Sequence, residues 1–252
     1  MLLVADSLRY DAVFGGYGHL LPYAVGHGVN FAQARSAGCW TLPATATLFT
    51  GLLPHAHGAT SQSRGIRPQV PTLAERMSAL DYAPSMVSAN IATTEILQCH
   101  FSNVTDAGTR VPLLWLPHDH DDARTVETSV STRDLFGALL KAAGDKEEAF
   151  FCLTASPERS VSIMQSFWYD NRGRTQPRYR YNQFAFVAGT QRFVHRHGQW
   201  RAAPLTRHDD PEVAFQDLGR RVDPLREAVD RPERLAYIRR MFEAYQAFAA
   251  GV

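Results

Sequence analysis

Two residues stand out for their chemistry: Asp6, which ends the apolar run Met1–Ala5, and Thr41, which stands just ahead of the segment Leu42–Leu52. A buried strand that stops at a carboxylate is how many α/β enzymes present a ligand at the carboxyl edge of a sheet, so residues 1–5 are expected to form such a strand. The string Leu-Pro-Ala-Thr-Ala-Thr-Leu-Phe-Thr-Gly-Leu predicts a short helix over 42–52, with Pro43 in its first turn and Gly51 near its end. Thr41 then sits just before a helix N-terminus, where unpaired backbone N–H groups and the helix dipole favour anions. A threonine hydroxyl is a poor nucleophile at neutral pH unless a base or a metal activates it.

Other residues have plainer readings. Arg9 and Asp11 fit a surface pair or structural lock. His55 and His57 fit a structural role. The run His118-Asp-His-Asp-Asp122 has the ligand types that zinc or manganese take, but five consecutive polar residues usually face solvent. The arginines between Arg172 and Arg201 suit an anionic substrate and, equally, a solvated face.

The elements that must position Asp6 and Thr41 follow from local signals. Thr72 and Glu75 form a capping box ahead of a second helix that begins near Pro71. Ser131 and Asp134 open a third helix over Leu135–Ala143, closed by Gly144. Ala83–Ala89, Val111–Leu116, Ala149–Thr154 and Val161–Phe167 are apolar runs, and all but the second read directly as strands. Phe184–Val194 looks like a hairpin, and residues 231–249 form an amphipathic helix. Strands alternating with helices predict an α/β fold with a mainly parallel sheet flanked by helices, over 1–155, and a small α+β C-terminal portion over 156–252.

The composition sets bounds. In 252 residues, 45% hydrophobic and 20% charged is ordinary for a soluble globular protein, and a formal charge of +1 gives no general reason to expect nucleic acid or an acidic membrane surface as partner. Cys39, Cys99 and Cys152 are odd in number and widely spaced, which argues against a disulfide framework or a zinc ribbon. No stretch approaches the roughly 18 apolar residues of a membrane span, and Met1–Ala5 is too short for a signal peptide. A reducing, cytoplasmic setting is the expectation.

Together, Leu3-Val-Ala-Asp-Ser-Leu-Arg-Tyr-Asp11 and Trp40-Thr-Leu-Pro-Ala-Thr-Ala-Thr-Leu-Phe-Thr-Gly-Leu-Leu-Pro-His-Ala-His-Gly58 resemble the opening of the alkaline phosphatase/sulfatase superfamily. There an aspartate after the first strand binds a metal. A Cys/Ser/Thr-x-Pro-Ser/Ala-x motif starts a helix and supplies the nucleophile, and a Thr-Gly-x-x-Pro-x-x-His-Gly string follows. The resemblance implies that Thr41 is the nucleophile and that Asp6 and Thr41 bind a divalent metal ion (manganese, zinc, magnesium or calcium). That metal would activate Thr41 and polarise a phosphoryl or sulfuryl oxygen.

The implied substrate is a small-molecule phosphate mono- or diester or a sulfate ester. Formylglycine chemistry is excluded, because Thr41 and Thr45 stand where sulfatases need a cysteine or serine and an arginine. Ser7 replaces a second aspartate. Val111-Pro-Leu-Leu-Trp115, Val130–Leu135 and Leu139–Gly144 resemble a late part of the same domain, and the tail around Phe215–Leu218 and Asp223-Pro224 resembles its close more loosely. The Asp-His-Gly motif that supplies the family's other ligands is absent from the sequence. Asp106, Asp119 and His120 are the nearest substitutes. The alternative is a catalytically silent or internally deleted descendant acting as a binding or regulatory protein, whose exposed sheet edges would favour homo-oligomers.

Overall fold

The computed structural model describes residues 1–6, 8–14, 22–60, 63, 65–86, 109–116, 123–145, 161–167, 182–205, 220–221, 223 and 232–251. Its elements in chain order are α1 (Tyr10–Phe14), α2 (Pro22–His27), β1 (Val29–Phe31), β2 (Ala34–Arg35), α3 (Thr41–Thr50), α4 (Pro54–His57), α5 (Leu73–Ser78), β3 (Leu114–Trp115), β4 (Arg124–Val126), β5 (Val130–Ser131), α6 (Asp134–Ala142), β6 (Val161–Ser166), β7 (Gln183–Ala188), β8 (Gln191–Arg196), β9 (Gln199–Pro204), β10 (Arg220–Arg221) and α7 (Pro232–Ala250). No described helix is long and apolar enough to cross a membrane.

The first half packs short strands against helices. β1 pairs in parallel with β4 and antiparallel with β3, and β2 pairs in parallel with β5. Val29, Phe31, Ala34, Leu48, Leu113 and Leu135 form the core between these strands and helices α3 and α6. The helix ends carry the chemistry their sequence announced. Thr72 and Glu75 make both bonds of a capping box at α5, and the Ser131 N–H donates to the Asp134 carboxylate at 2.9 Å ahead of α6. Past α6, Gly144 takes φ +90° and the Asp145 N–H reaches back to the Leu140 carbonyl, which satisfies a carbonyl the helix leaves open.

The second half is a five-stranded antiparallel sheet in the order β10-β9-β8-β7-β6. The β8–β9 turn places His197 and Gly198 both at positive φ, 53° and 70°, the geometry that matches the twist of a tight hairpin. Alternation sends Ile163, Phe184, Phe186, Phe193 and Ala202 to one face, where α7 covers them with Ile238, Phe242 and Tyr245. The rings meet edge-on or tilted: Phe184 lies 5.2 Å from Phe242 and 5.4 Å from Tyr245, arrangements that suit their quadrupoles.

Three sequence expectations change. Residues 1–5 are not a buried strand: they form no sheet pairing, and Leu3 and Val4 are 80% and 60% exposed. An apolar run becomes a strand only where another strand accepts its N–H and C=O groups, and among the described residues none lies alongside. Ala83–Met86 is likewise exposed and unpaired, so the described part of the 83–89 strand is absent; the rest of that segment, and all of 149–154, lie outside the described residues. Helices and strands are both present as expected, but in place of a mainly parallel sheet the described strands pair in both senses, and the largest described sheet is antiparallel. Its register follows from tight turns, as between β7, β8 and β9, which join antiparallel neighbours only.

Candidate functional site

The Thr41 hydroxyl donates to the Asp6 carboxylate at 3.0 Å, across 35 positions of sequence. The two groups meet from unlike settings. Thr41 is 7% exposed and is the first residue of α3, one position further into the helix than its sequence indicates. Trp40, in extended conformation, precedes the helix with no side-chain cap. Pro43 has no N–H, so the Thr41 and Leu42 amides are the ones that open the first turn. Asp6 is exposed.

The far end of α3 is fixed sterically. Gly51 caps it at φ +66°, with its N–H on the Thr47 carbonyl. A Cβ there would stand 2.9 Å from Phe136, so both the backbone and the space require glycine. Arg133 then joins three elements: its Nε donates to the Gly51 carbonyl at 2.8 Å and its Nη1 to the Tyr237 hydroxyl of α7 at 2.8 Å.

His57 is fully buried beneath α3. The Ala59 N–H donates to its Nδ1 at 3.0 Å, which leaves the proton on Nε2, 3.1 Å from the Thr47 hydroxyl. Burial pushes this imidazole down to about 4, an effect that hydrogen bonding with the Pro43 carbonyl offsets only in part. His55 is tied to β6: its N–H donates to Gln165 Oε1 at 3.1 Å, and its Nδ1 lies 2.9 Å from Gln165 Nε2. Burial lowers its pKa also. Both histidines therefore hold α4 in place, as their structural reading anticipates. Gln165, whose N–H also donates to the Ala37 carbonyl at 2.8 Å, was not visible as a site residue, because no local spacing links it to α4.

Other candidates separate cleanly. Arg9 grips Asp11 with two hydrogen bonds, at 2.8 and 2.6 Å, and holds its carboxyl below the usual carboxylate range. Cys39 is buried, and burial pushes its thiol up to about 11, which suppresses the reactive thiolate. Arg110 stacks on Tyr10 at 4.0 Å and donates to the Ala32 carbonyl. Ser7, Asp106, the 118–122 run and the arginines of 172–180 lie outside the described residues.

The fit to a metal can be tested on the donors. Asp6 and Thr41 offer oxygen ligands from two side chains, while divalent ions take four or more. Among the described residues no group of three or more His, Cys, Asp or Glu side chains converges. Asp6 and Thr41 by themselves do not close a coordination shell.

No family model and no curated protein matches the chain. Among solved structures, the crystal structure of Ps i-CgsB matches with 12% identity and a TM-score of 0.50, over 85% of this chain and 88% of that one. The chain shares its overall fold with that structure. The complex of Ps i-CgsB with k-i-k-neocarrahexaose matches at 12% identity and TM-score 0.48, over 84% and 88% of the two chains. The phosphonate monoester hydrolase of Agrobacterium radiobacter matches at 18% identity and TM-score 0.36, over 58% of this chain and 31% of that one. At 12% identity the likeness to Ps i-CgsB is one of fold alone.

Proposed function

We propose that this chain hydrolyses phosphate mono- or diesters, or sulfate esters, with Thr41 as nucleophile. The observation that carries the reading is the Thr41–Asp6 hydrogen bond at the start of α3. Thr41 Oγ attacks the phosphorus or sulfur, and its proton passes to the Asp6 carboxylate, already in hydrogen-bond contact. The ester oxygen leaves and takes up a proton from Asp6 or water, and the phosphoryl or sulfuryl group, still carrying its second ester arm when the substrate is a diester, stays on Thr41. Water then attacks that group, releasing inorganic phosphate from a monoester, a phosphate monoester from a diester or sulfate from a sulfate ester, and restoring the hydroxyl. The first-turn amides and the dipole of the ten-residue α3 favour the anionic oxygens of the transferred group.

The resemblance of the Asp6 and Thr41 segments to the alkaline phosphatase/sulfatase superfamily supports this class. The test is turnover of p-nitrophenyl phosphate, bis-p-nitrophenyl phosphate and p-nitrophenyl sulfate with manganese, zinc, magnesium and calcium in turn. Wild-type turnover that drops by roughly a thousandfold or more in Thr41→Ala, with melting unchanged, is the expected result. The metal series reads dependence on a divalent ion directly.

One observation favours a second reading. The exposure of Leu3 and Val4 suits a silent descendant that has lost neighbouring strands and serves as a binding protein. Absence of turnover with every ester and metal, from folded protein, selects that reading.

A further inference from the structure

We infer that His57 is a positioning residue for Thr41, an inference that rests on Thr41 being the nucleophile. The imidazole packs against α3: its Nε2 lies 3.1 Å from the Thr47 hydroxyl, one turn beyond Pro43, whose carbonyl is close enough to hold the ring's pKa up slightly against burial. Its other nitrogen is occupied by the Ala59 N–H at 3.0 Å, so the ring has one tautomer and one orientation. Thr41 is two residues ahead of Pro43, in the same first turn.

Among the described residues, no side chain caps that turn from the helix's own N-terminal end. Trp40 supplies no side-chain cap, and Pro43 cannot donate. What presses on the turn from outside is Gly38, where a Cβ would stand 2.9 Å from Pro43. The first turn is thus gripped between a glycine backbone above and a buried histidine below. A shift of α3 by a fraction of an ångström would lengthen the 3.0 Å contact between Thr41 and Asp6, and attack geometry is sensitive to displacements of that size. Burial keeps the ring neutral down to pH about 4, so the grip is constant across the range in which an ester hydrolase works.

The experiment compares His57→Ala and His57→Gln in the full-length chain, by steady-state kinetics on the ester the wild type prefers and by amide hydrogen exchange. Gln retains an N–H near the place of Nε2. The expected result is a fall of roughly a hundredfold in kcat for His57→Ala with KM within about twofold, and partial recovery in His57→Gln. Exchange should quicken at the amides of Ala44–Leu48 while those of Phe184–Val187 in β7 keep their rates. Unchanged exchange in α3, or equal acceleration in α3 and β7, overturns the inference, as does kcat per folded molecule equal to wild type. Where His57→Ala does not fold, His57→Gln carries both measurements. Where the wild type turns over no ester, the nucleophile reading falls on its own account, and the exchange pattern alone decides whether His57 sets the first turn.

Discussion

Thr41 and Asp6 share a hydrogen bond but differ in everything behind it. Thr41 opens a helix gripped by His57 below, Gly38 above and the Gly51–Phe136 contact at its far end. Asp6 ends a segment whose Leu3 and Val4 side chains are in solvent. One partner is held by packing on several sides, whereas the segment that carries the other meets the core through Leu2 and leaves Leu3 and Val4 in solvent. In such a pair the hydroxyl's position is set by the fold, whereas the carboxylate's depends on the chain around it. The asymmetry also locates stability: it resides in the body that carries Thr41, not in the strand-like segment that carries Asp6.

The largest effect that would sharpen this contrast is in the aromatic layer under α7. Phe184→Ala empties a fully buried site and should cost about 4 kcal/mol of unfolding free energy, measured by urea denaturation. A loss below about 1 kcal/mol would break the contrast, since the body would then be no firmer than the N-terminal segment.

Acid comes next. His57 takes up a proton near pH 6.5 when unfolded but only near 4 when folded, so the unfolded chain binds more protons between those values. Its contribution is fully present above about pH 6.5 and is lost as pH falls toward 4, by about 3 kcal/mol at most. His55 and His195, also lowered by burial, act in the same direction. Urea midpoints measured from pH 7 to pH 4 should fall less steeply in His57→Gln than in wild type.

Gly51→Ala forces a side chain onto positive φ and against Phe136, and should cost about 2 kcal/mol in the same assay. At the small end, Leu3→Ser should change stability by no more than about 0.5 kcal/mol. A larger loss would mean that residues 1–5 are packed in solution, and the contrast would fail from the other side.

Much of the body was legible locally. Pro43 and Gly51 bracket α3, Thr72 and Glu75 start α5, Asp134 and Gly144 bound α6, and the runs of 161–167 and 184–194 became β6, β7 and β8. Each is a signal that a few neighbouring residues complete by themselves. β9 was missed because its opening turn uses His197 at positive φ, where glycine or asparagine is the usual sign. The strand expected at 1–5 does not form because pairing is a property of two segments, and the sequence of one does not reveal whether the other is there. For the candidate site, Thr41 and Asp6 were visible through their motifs, and their contact was not. Nor was the state of His57, which depends on a desolvation that only the assembled α3 and α4 impose.

The link from Arg133 to Tyr237 has a consequence for synthesis. α7 follows every other described element, so until it leaves the ribosome Phe184 and Phe186 lack their cover and Arg133 lacks its phenol. Throughout that interval the nascent chain displays an aromatic sheet face of the kind chaperones bind. A message cut short before residue 232 would leave that face open for good, and such a product would be a substrate for proteolysis rather than a merely less stable form of the fold.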